Sequence, residues 1–172
     1  MDMTNFVAFL RAINVGGKAL LPMKHLSGLC SEIGLKNVRT YIQSGNVLFT
    51  SPLAPAALKA KLEEALLRET GNNIRVIIRN ARELAAIVAH NPFPNANPSQ
   101  VAVLLLTDEV PKTFAREVAN DGPEEIRPSR TEIYIHYPNG IGRTKLKLPI
   151  SVASGTVRNI NTIGKLAELA AM

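Results

Sequence analysis

A glycine-rich segment near the start of the chain has the residues that an anion-binding turn requires. Residues 11–18 read RAINVGGK, so an apolar run ends in Gly16 and Gly17 between the cations Arg11 and Lys18. Glycine lets successive backbone N–H groups face one small volume, where they bind phosphate or carboxylate. The alternative is a tight connection in which the glycines only permit positive φ. A Walker loop has a four-residue spacer and a Ser or Thr after the lysine, so nucleotide hydrolysis by that mechanism is not predicted.

A second polar segment, 43–46, reads QSGN between two alternating runs. A hydrolase nucleophile turn would have glycine where Ile42 stands, and no strand-to-helix transition is predicted there, so a hairpin turn is the better interpretation. The side chains of Gln43, Ser44 and Asn46 could still donate or accept hydrogen bonds from a ligand at the strand ends.

A third polar segment, 156–159, reads TVRN and precedes the last predicted helix. Thr156 or Asn159 could cap the free N–H groups of that helix, with Arg158 pointing outward near its positive end. The functional alternative is an anion held by the helix N-terminus and Arg158, together with cations of the basic segment that contains Arg143, Lys145 and Lys147.

These three segments and two further arginines supply every ligand-binding residue that we predict. They are Arg11, Asn14, Gly16, Gly17, Lys18, Arg39, Gln43, Ser44, Asn46, Arg143, Thr156, Arg158 and Asn159.

Other residues that often do chemistry give no comparable pattern. The histidines His25, His90 and His136 lie far apart with no carboxylate or cysteine at ligand spacing, so we predict no metal site and no cofactor. Cys30 falls in the apolar stripe of a helix and is expected to be a core residue. The adjacent pairs 63–64 and 124–125 are both Glu-Glu, and we expect them on solvated faces rather than in acid/base catalysis.

The first half of the chain must position two of these segments, and its apolar periodicity predicts the order βαββαβ. Strands are expected at 6–13, 38–43, 46–50 and 74–79, with strand 6–13 buried on both faces. Helices should begin near Pro22 and Pro55 and end near Gly34 and Gly71. Asn80 and Glu83 have the spacing of a capping box, which predicts a short third helix that stops before Asn91.

The second half repeats part of that pattern. We expect strands at 101–107, 124–127 and 131–137, and helices at 111–119 and 159–171. Residues 91–99 contain three prolines and three asparagines, which favour a connector. The predicted organisation is therefore a first subdomain at 1–90 with its short helix, a connector at 91–99, and a second, incomplete subdomain at 100–172.

Composition is that of an ordinary globular domain, with 172 residues of which 46% are hydrophobic and 20% charged. The chain has a single cysteine and no basic region ahead of an apolar one at its start, so we expect a cytoplasmic protein that is not in a membrane. The formal net charge is +6. Residues 91–140 carry 4 Lys and Arg against 7 Asp and Glu, whereas both flanking parts are basic. The two basic ends could form a cationic face if they meet, although scattered solvated cations explain the charge equally well.

Several motifs occur together in a way that resembles one family. They are RAINVGGK at 11–18, Pro22-Met23, TYIQSGNV at 40–47, TVRN at 156–159, Thr162 and Lys165-Leu166. Over nearly its whole length the chain resembles the uncharacterised bacterial family DUF1697. The resemblance implies an α+β fold of two ferredoxin-like halves with a C-terminal helix, and it assigns no activity or catalytic residue. The chain has Ile160 where the family commonly has an aromatic residue.

Three functions remain open from the sequence. The first is binding of an anionic ligand, either a phosphorylated small molecule or a nucleic-acid backbone, in a basic cleft. The second is an enzyme acting on a phosphorylated metabolite, which would need a titratable group beside that cleft. The third is a self-association or adaptor module, with a second copy of the chain as partner. Strand 46–50 lacks the basic, glycine-flanked aromatic pattern of an RNA-recognition motif, so RNA binding would depend on charge alone.

Overall fold

The computed structural model describes residues 2–11, 21–41 and 45–172, and within these ranges the chain forms eight strands and five α-helices. The strands are β1 (Thr4–Leu10), β2 (Lys36–Tyr41), β3 (Asn46–Ser51), β4 (Val76–Asn80), β5 (Val101–Leu105), β6 (Glu125–Pro128), β7 (Glu132–His136) and β8 (Thr156–Asn159). The α-helices are α1 (Met23–Glu32), α2 (Pro55–Thr70), α3 (Ala81–Ala89), α4 (Phe114–Glu117) and α5 (Ile160–Ala170).

The strands make two antiparallel four-stranded sheets with the same topology. The first has the order β2-β3-β1-β4 and the second has the order β6-β7-β5-β8. Each half thus places its first strand in the centre and its fourth at the edge beside it. The fold is the predicted α+β arrangement of two ferredoxin-like halves followed by a C-terminal helix, α5.

Contacts divide the chain into two compact units. Unit 1 comprises Met1–Leu84 and Leu166–Met172, and unit 2 comprises Ala85–Lys165. The subdomain boundaries predicted from the connector at 91–99 remain an expectation. In the described part of the chain, no helix combines the length and the apolar character needed to span a membrane.

Local signals in unit 1 set the helix ends where the sequence predicts them. Pro55 occupies the first turn of α2, where its missing N–H is harmless, and Gly71 ends the helix in the left-handed region at φ 74°. At the start of α3, Asn80 and Glu83 form both reciprocal hydrogen bonds of the capping box, of 2.9 and 2.8 Å.

The core of unit 1 lies between the first sheet and the helices α1 and α2. Phe6, Ala8 and Leu10 of β1 point to this side, and helix residues such as Leu26 and Leu62 are fully buried against them. The opposite face of β1 is also buried, as expected for a central strand that is covered on two sides.

Unit 2 departs from the expected elements at two places. The helix predicted at 111–119 is only the single turn Phe114–Glu117, because Val118 is extended and Ala119 pairs with Lys147 in an isolated β-bridge. The segment 156–159, expected only to lead into a helix, is the edge strand β8, which pairs with β5 along its whole length. The core here includes Leu104, Phe114 and Ile135.

Candidate functional site

Arg11 lies at one end of the first sheet, beside the β2–β3 hairpin. Its backbone N–H donates to the carbonyl of Arg75 at 3.0 Å, and the preceding N–H of Leu10 donates to the carbonyl of Gly45 at 2.9 Å. The structure therefore brings the start of segment 11–18 next to the end of segment 43–46. Six predicted site residues lie outside the described residues: Asn14, Gly16, Gly17, Lys18, Gln43 and Ser44.

Asn46 is fully buried at the start of β3. Its Nδ2 atom donates to the carbonyl of Tyr41 at 3.2 Å, across the hairpin. Burial with this bond gives Asn46 a structural role in closing the hairpin.

The exposed side chain of Arg39 also forms a hydrogen bond to backbone. Its guanidinium donates to the carbonyl of Leu169 at 3.1 Å, and Asn5 donates in the same way to the carbonyl of Ala170 at 2.7 Å. The last carbonyls of a helix have no partner within the helix, so both side chains satisfy the end of α5. Arg39 lines a shallow hollow of about 320 Å³ beside that helix end.

Asn159 caps α5, as one of the two sequence interpretations predicts. Its Oδ1 atom accepts a hydrogen bond from the backbone N–H of Asn161 at 2.8 Å, and its Nδ2 atom donates to the carbonyls of Pro98 and Ser99. All three hydrogen bonds of the Asn159 side chain are therefore made to backbone groups. Asn159 and Tyr137 also line a cavity of about 180 Å³.

The other two predicted residues of this segment differ from the expectation. Thr156 is 2% exposed, and its hydroxyl has no hydrogen-bond partner in the described part of the chain, so it does not cap the helix. Arg158 is partly buried in β8 rather than pointing outward, and it donates to the carbonyl of Val157 at 3.0 Å. Burial lowers the pKa of its guanidinium to about 10.

Arg143, the remaining predicted residue, lines a cavity of about 450 Å³ in unit 2, which we name the basic cleft. Two walls form it, and the β-bridge between Ala119 and Lys147 connects them. The lining residues are Ala119, Asn120, Asp121, Gly122, Pro123, Glu124, Asn139, Arg143, Lys145, Leu146 and Lys147.

Three cations come from one wall of the basic cleft. Arg143, Lys145 and Lys147 alternate with partly buried residues, and Leu146 and Leu148 among these pack against the core of unit 2. Arg143 ends the 3-10 turn Ile141–Arg143, and the chain becomes extended at Thr144. Extended backbone sends alternate side chains to opposite sides, so anchoring Leu146 and Leu148 leaves Lys145 and Lys147 exposed. Within the described ranges, no carboxylate forms an ion pair with any of the three.

Glu124 lies in the other wall, and its position corrects the expectation of a solvated Glu-Glu pair. Glu125 is exposed, but Glu124 is only 8% exposed. The Thr144 hydroxyl donates to its Oε1 atom, whereas its Oε2 atom is buried and has no hydrogen-bond partner among the residues described. A buried, unpartnered carboxylate oxygen is unusual, because burial without a hydrogen bond is costly.

The loop that carries Glu124 is held by its own hydrogen bonds. Asn120 Nδ2 donates to the backbone carbonyl of Glu124 at 2.7 Å, and Asn120 Oδ1 accepts from the N–H of Gly122 at 3.2 Å. A Cβ atom at Gly122 would lie 2.5 Å from Glu124 Oε2, so glycine makes room for the carboxylate. Burial, followed by the negative charge of Glu124, raises the pKa of Tyr137 above its usual value.

Sequence reasoning noted the cations of this cleft but missed its acidic wall. Lys145 and Lys147 alternate with Leu146 and Leu148, and this period-two signal could have placed both lysines on one side. No comparable signal marks Glu124, whose burial depends on a hydrogen bond with a residue twenty positions away.

Two further sequence predictions concern the role of Cys30 and the binding of metal ions. Cys30 is fully buried in the core of unit 1, as predicted, and burial raises the pKa of its thiol to about 12. The described residues contain no group of three His, Cys, Asp or Glu side chains that could hold a metal ion.

Comparisons with known proteins give one family and one similar fold, and neither carries a function. A family model described as a protein of unknown function, DUF1697, matches residues 3–134. The fold is similar to that of the conserved bacterial protein SP0830 from Streptococcus pneumoniae, with a TM-score of 0.78 and 20% sequence identity. That match covers 99% of this chain and 100% of the other. No curated protein matches the chain.

Proposed function

Because the chain belongs to the DUF1697 family, whose function is unknown, we propose its activity from its own structure: it binds a phosphorylated small molecule in the basic cleft of unit 2. The observation that carries this proposal is the set of three cations, Arg143, Lys145 and Lys147, which line one cavity without an intramolecular ion pair in the described part of the chain.

The electrostatics of the basic cleft favour an anion. Three like charges within residues 143–147 repel one another, and an anion between them relieves that repulsion. Arg143 can hold two phosphate oxygens at once, and the lysines add point charges. Asp121 and Glu124 reduce the net charge of the cleft to about +1, which suits one phosphate group better than several.

The size of the cleft favours a small molecule over a nucleic-acid backbone. A cavity of about 450 Å³ falls in the range of small-ligand sites, about 300–1,000 Å³. A nucleic-acid backbone would instead contact cations spread along a surface. Anion binding by the glycine-rich segment with Arg11 and Lys18 remains a prediction from the sequence.

Titration calorimetry with inorganic phosphate and ethyl phosphate tests the proposal. We expect replacement of Arg143, Lys145 and Lys147 by Gln to weaken binding by at least about tenfold, since the cations supply most of the attraction. The matched control replaces the exposed Lys24, Lys61 and Lys112 by Gln, which removes the same charge elsewhere. Equal loss in both variants, or no binding by the unaltered protein, would contradict a site in the cleft. Competition by a single-stranded oligonucleotide at equal phosphate concentration would favour the nucleic-acid alternative.

A second candidate function is catalysis on the bound phosphate ester, and Glu124 favours it. The enzyme hypothesis needs a titratable group beside the cations, and Glu124 is a buried carboxylate in the opposite wall of the same cavity. Phosphorus NMR of a panel of phosphate esters would detect turnover. Turnover that persists in Glu124→Gln would exclude this carboxylate as the acid or base.

A further inference from the structure

The unpartnered oxygen of Glu124 carries information about the ligand beyond its phosphate. Glu124 is 8% exposed, its Oε1 atom accepts from Thr144, and its Oε2 atom has no hydrogen-bond partner in the ranges described. Carboxylate oxygens accept hydrogen bonds and donate none when ionised, so Oε2 needs an N–H or O–H group. A donor on a bound ligand would satisfy it.

The position of Oε2 is defined by its surroundings. The space that a Cβ would fill at Gly122 is occupied by Oε2, and the side chain of Asn120 holds the same loop through two hydrogen bonds. Thr144 fixes the other carboxylate oxygen from the opposite wall. An acceptor held at both ends loses little freedom when a ligand binds, which favours specific recognition.

Glu124 and the three cations line the same cavity. In the described part of the chain, Glu124 forms no ion pair with Arg143, Lys145 or Lys147, although all four line the basic cleft. A simple anion would use the cations and leave Oε2 unsatisfied. A ligand with an anionic end and a donor group would use both.

We propose that the basic cleft selects phosphate esters that carry a hydroxyl or amino group close to the phosphate, with Glu124 Oε2 as the acceptor for that group. This inference rests on the proposed function, since it assumes that the cations bind the phosphate. Glu124 is thus the residue that determines specificity, whereas the cations determine affinity for the anion.

Three probes of matched size test the inference: propyl phosphate, 2-hydroxyethyl phosphate and 2-aminoethyl phosphate. Their last heavy atom is carbon, oxygen or nitrogen, and the nitrogen also carries a positive charge at neutral pH. We expect at least one donor probe to bind about tenfold more tightly than propyl phosphate in titration calorimetry. A preference for the amine would identify a charged partner of Glu124, and a preference for the hydroxyl a neutral one.

Two variants assign the selectivity to Glu124. In Glu124→Gln the amide oxygen can still accept from Thr144, but the ionised acceptor is gone, so the ratio of donor-probe to propyl phosphate affinity should fall close to one. Gly122→Ala, which places a methyl group against Oε2, should lower the same ratio. The control Glu125→Gln removes the same charge from an exposed neighbour and should leave the ratio unchanged.

The outcomes separate this inference from the proposed function. Equal binding of all three probes, or selectivity that survives Glu124→Gln, overturns the inference and leaves phosphate binding in place. Binding of none of the probes overturns both. Because the measured quantity is a ratio, an overall gain in phosphate affinity after Glu124→Gln does not obscure the result.

Discussion

The hydroxyl of Thr144 donates a hydrogen bond to the buried carboxylate of Glu124, and this bond connects the two walls of the basic cleft. The same hydroxyl oxygen accepts from the backbone N–H of Leu146 at 3.1 Å. Thr144 therefore fixes both the acceptor in one wall and the cationic segment in the other.

Thr144→Val is expected to destabilise the protein. The change keeps the shape of the side chain but removes both hydrogen bonds, which leaves a buried carboxylate oxygen and a backbone N–H without partners. The free energy of unfolding should fall by about 1–3 kcal/mol, as measured by urea denaturation. The control is Thr113→Val, which removes a comparable hydrogen bond to Glu117 on the exposed surface and should change stability by less than about 0.5 kcal/mol. Equal losses of unfolding free energy in the two variants would mean that the buried hydrogen bond of Thr144 stabilises the protein no more than the exposed one of Thr113.

The sequence predicted those parts of the fold that local signals determine. Pro55, Gly71 and the Asn80–Glu83 capping box act within one helical turn, so the ends of α2 and the start of α3 followed directly. Strand β8 depends instead on pairing with β5, 51 to 57 residues earlier, and its short polar sequence is equally compatible with a segment that leads into a helix. The helix predicted at 111–119 was too long for the same reason. A long-range pairing, the bridge between Ala119 and Lys147, keeps the end of that segment extended.

The candidate site divides in the same way. The cations at 143–147 are visible as a basic segment, whereas the acidic wall depends on long-range contacts of Asn120, Glu124 and Thr144. Arg39 and Asn159 were both predicted as ligand-binding residues, but both hydrogen-bond to backbone at the two ends of α5. For Asn159 this is the capping role that the sequence offered as the alternative. The sequence identifies polar side chains that need a hydrogen-bond partner. Only the fold shows whether that partner is a ligand or another part of the chain.

The capping box at the start of α3 should contribute measurably to stability. Asn80→Ala removes the acceptor for the N–H of Glu83, so the free energy of unfolding should fall by about 1 kcal/mol in urea denaturation. Asn80→Ser keeps an acceptor and should restore most of the loss. The exposed Asn73→Ala serves as a control for loss of an asparagine outside a cap. A loss in the serine variant as large as that in the alanine variant would contradict capping as the cause.

Ionisation of Tyr134 should lower the stability of the protein at alkaline pH. Burial, followed by the negative charge of Glu132, raises the pKa of its phenol from 10.0 to about 12, and its hydroxyl donates to the carbonyl of Ile87 at 2.7 Å. The unfolded chain then loses this proton first, so the stabilising contribution is present below pH 10 and is lost as the pH rises towards 12.

Tyr134→Phe tests that dependence by urea denaturation at pH 8, 10 and 11. The variant should be less stable at pH 8, because it lacks the hydrogen bond to Ile87, but the decline in its stability above pH 10 should be shallower. Ultraviolet titration of the folded protein supplies an independent measurement of the phenol. An unchanged slope above pH 10 would show that Tyr134 does not titrate as described.

Close packing at Gly155 holds the start of β8. A Cβ atom there would lie 2.7 Å from Leu104 Cδ1 and 2.8 Å from Leu106 Cδ2, both in the core of unit 2. Gly155→Ala should therefore lower the free energy of unfolding by about 1–3 kcal/mol. Gly28→Ala, in the interior of α1 with no atom within 4 Å of the new methyl group, should instead raise it by about 0.5–1 kcal/mol. Opposite signs in thermal denaturation would confirm the packing argument, and destabilisation by both would contradict it.

Salt should affect the two halves of ligand recognition differently. Arg143, Lys145 and Lys147 are exposed, and dissolved ions screen exposed charges over about 10 Å at 0.1 M salt. Binding of propyl phosphate should therefore weaken several-fold between 50 and 300 mM sodium chloride. Glu124 is buried and its hydrogen bond to a ligand donor acts at contact, so the preference for 2-hydroxyethyl phosphate over propyl phosphate should stay nearly constant. If the preference fell in parallel with the affinity, selectivity would arise from the general field of the cleft rather than from a direct bond to Glu124.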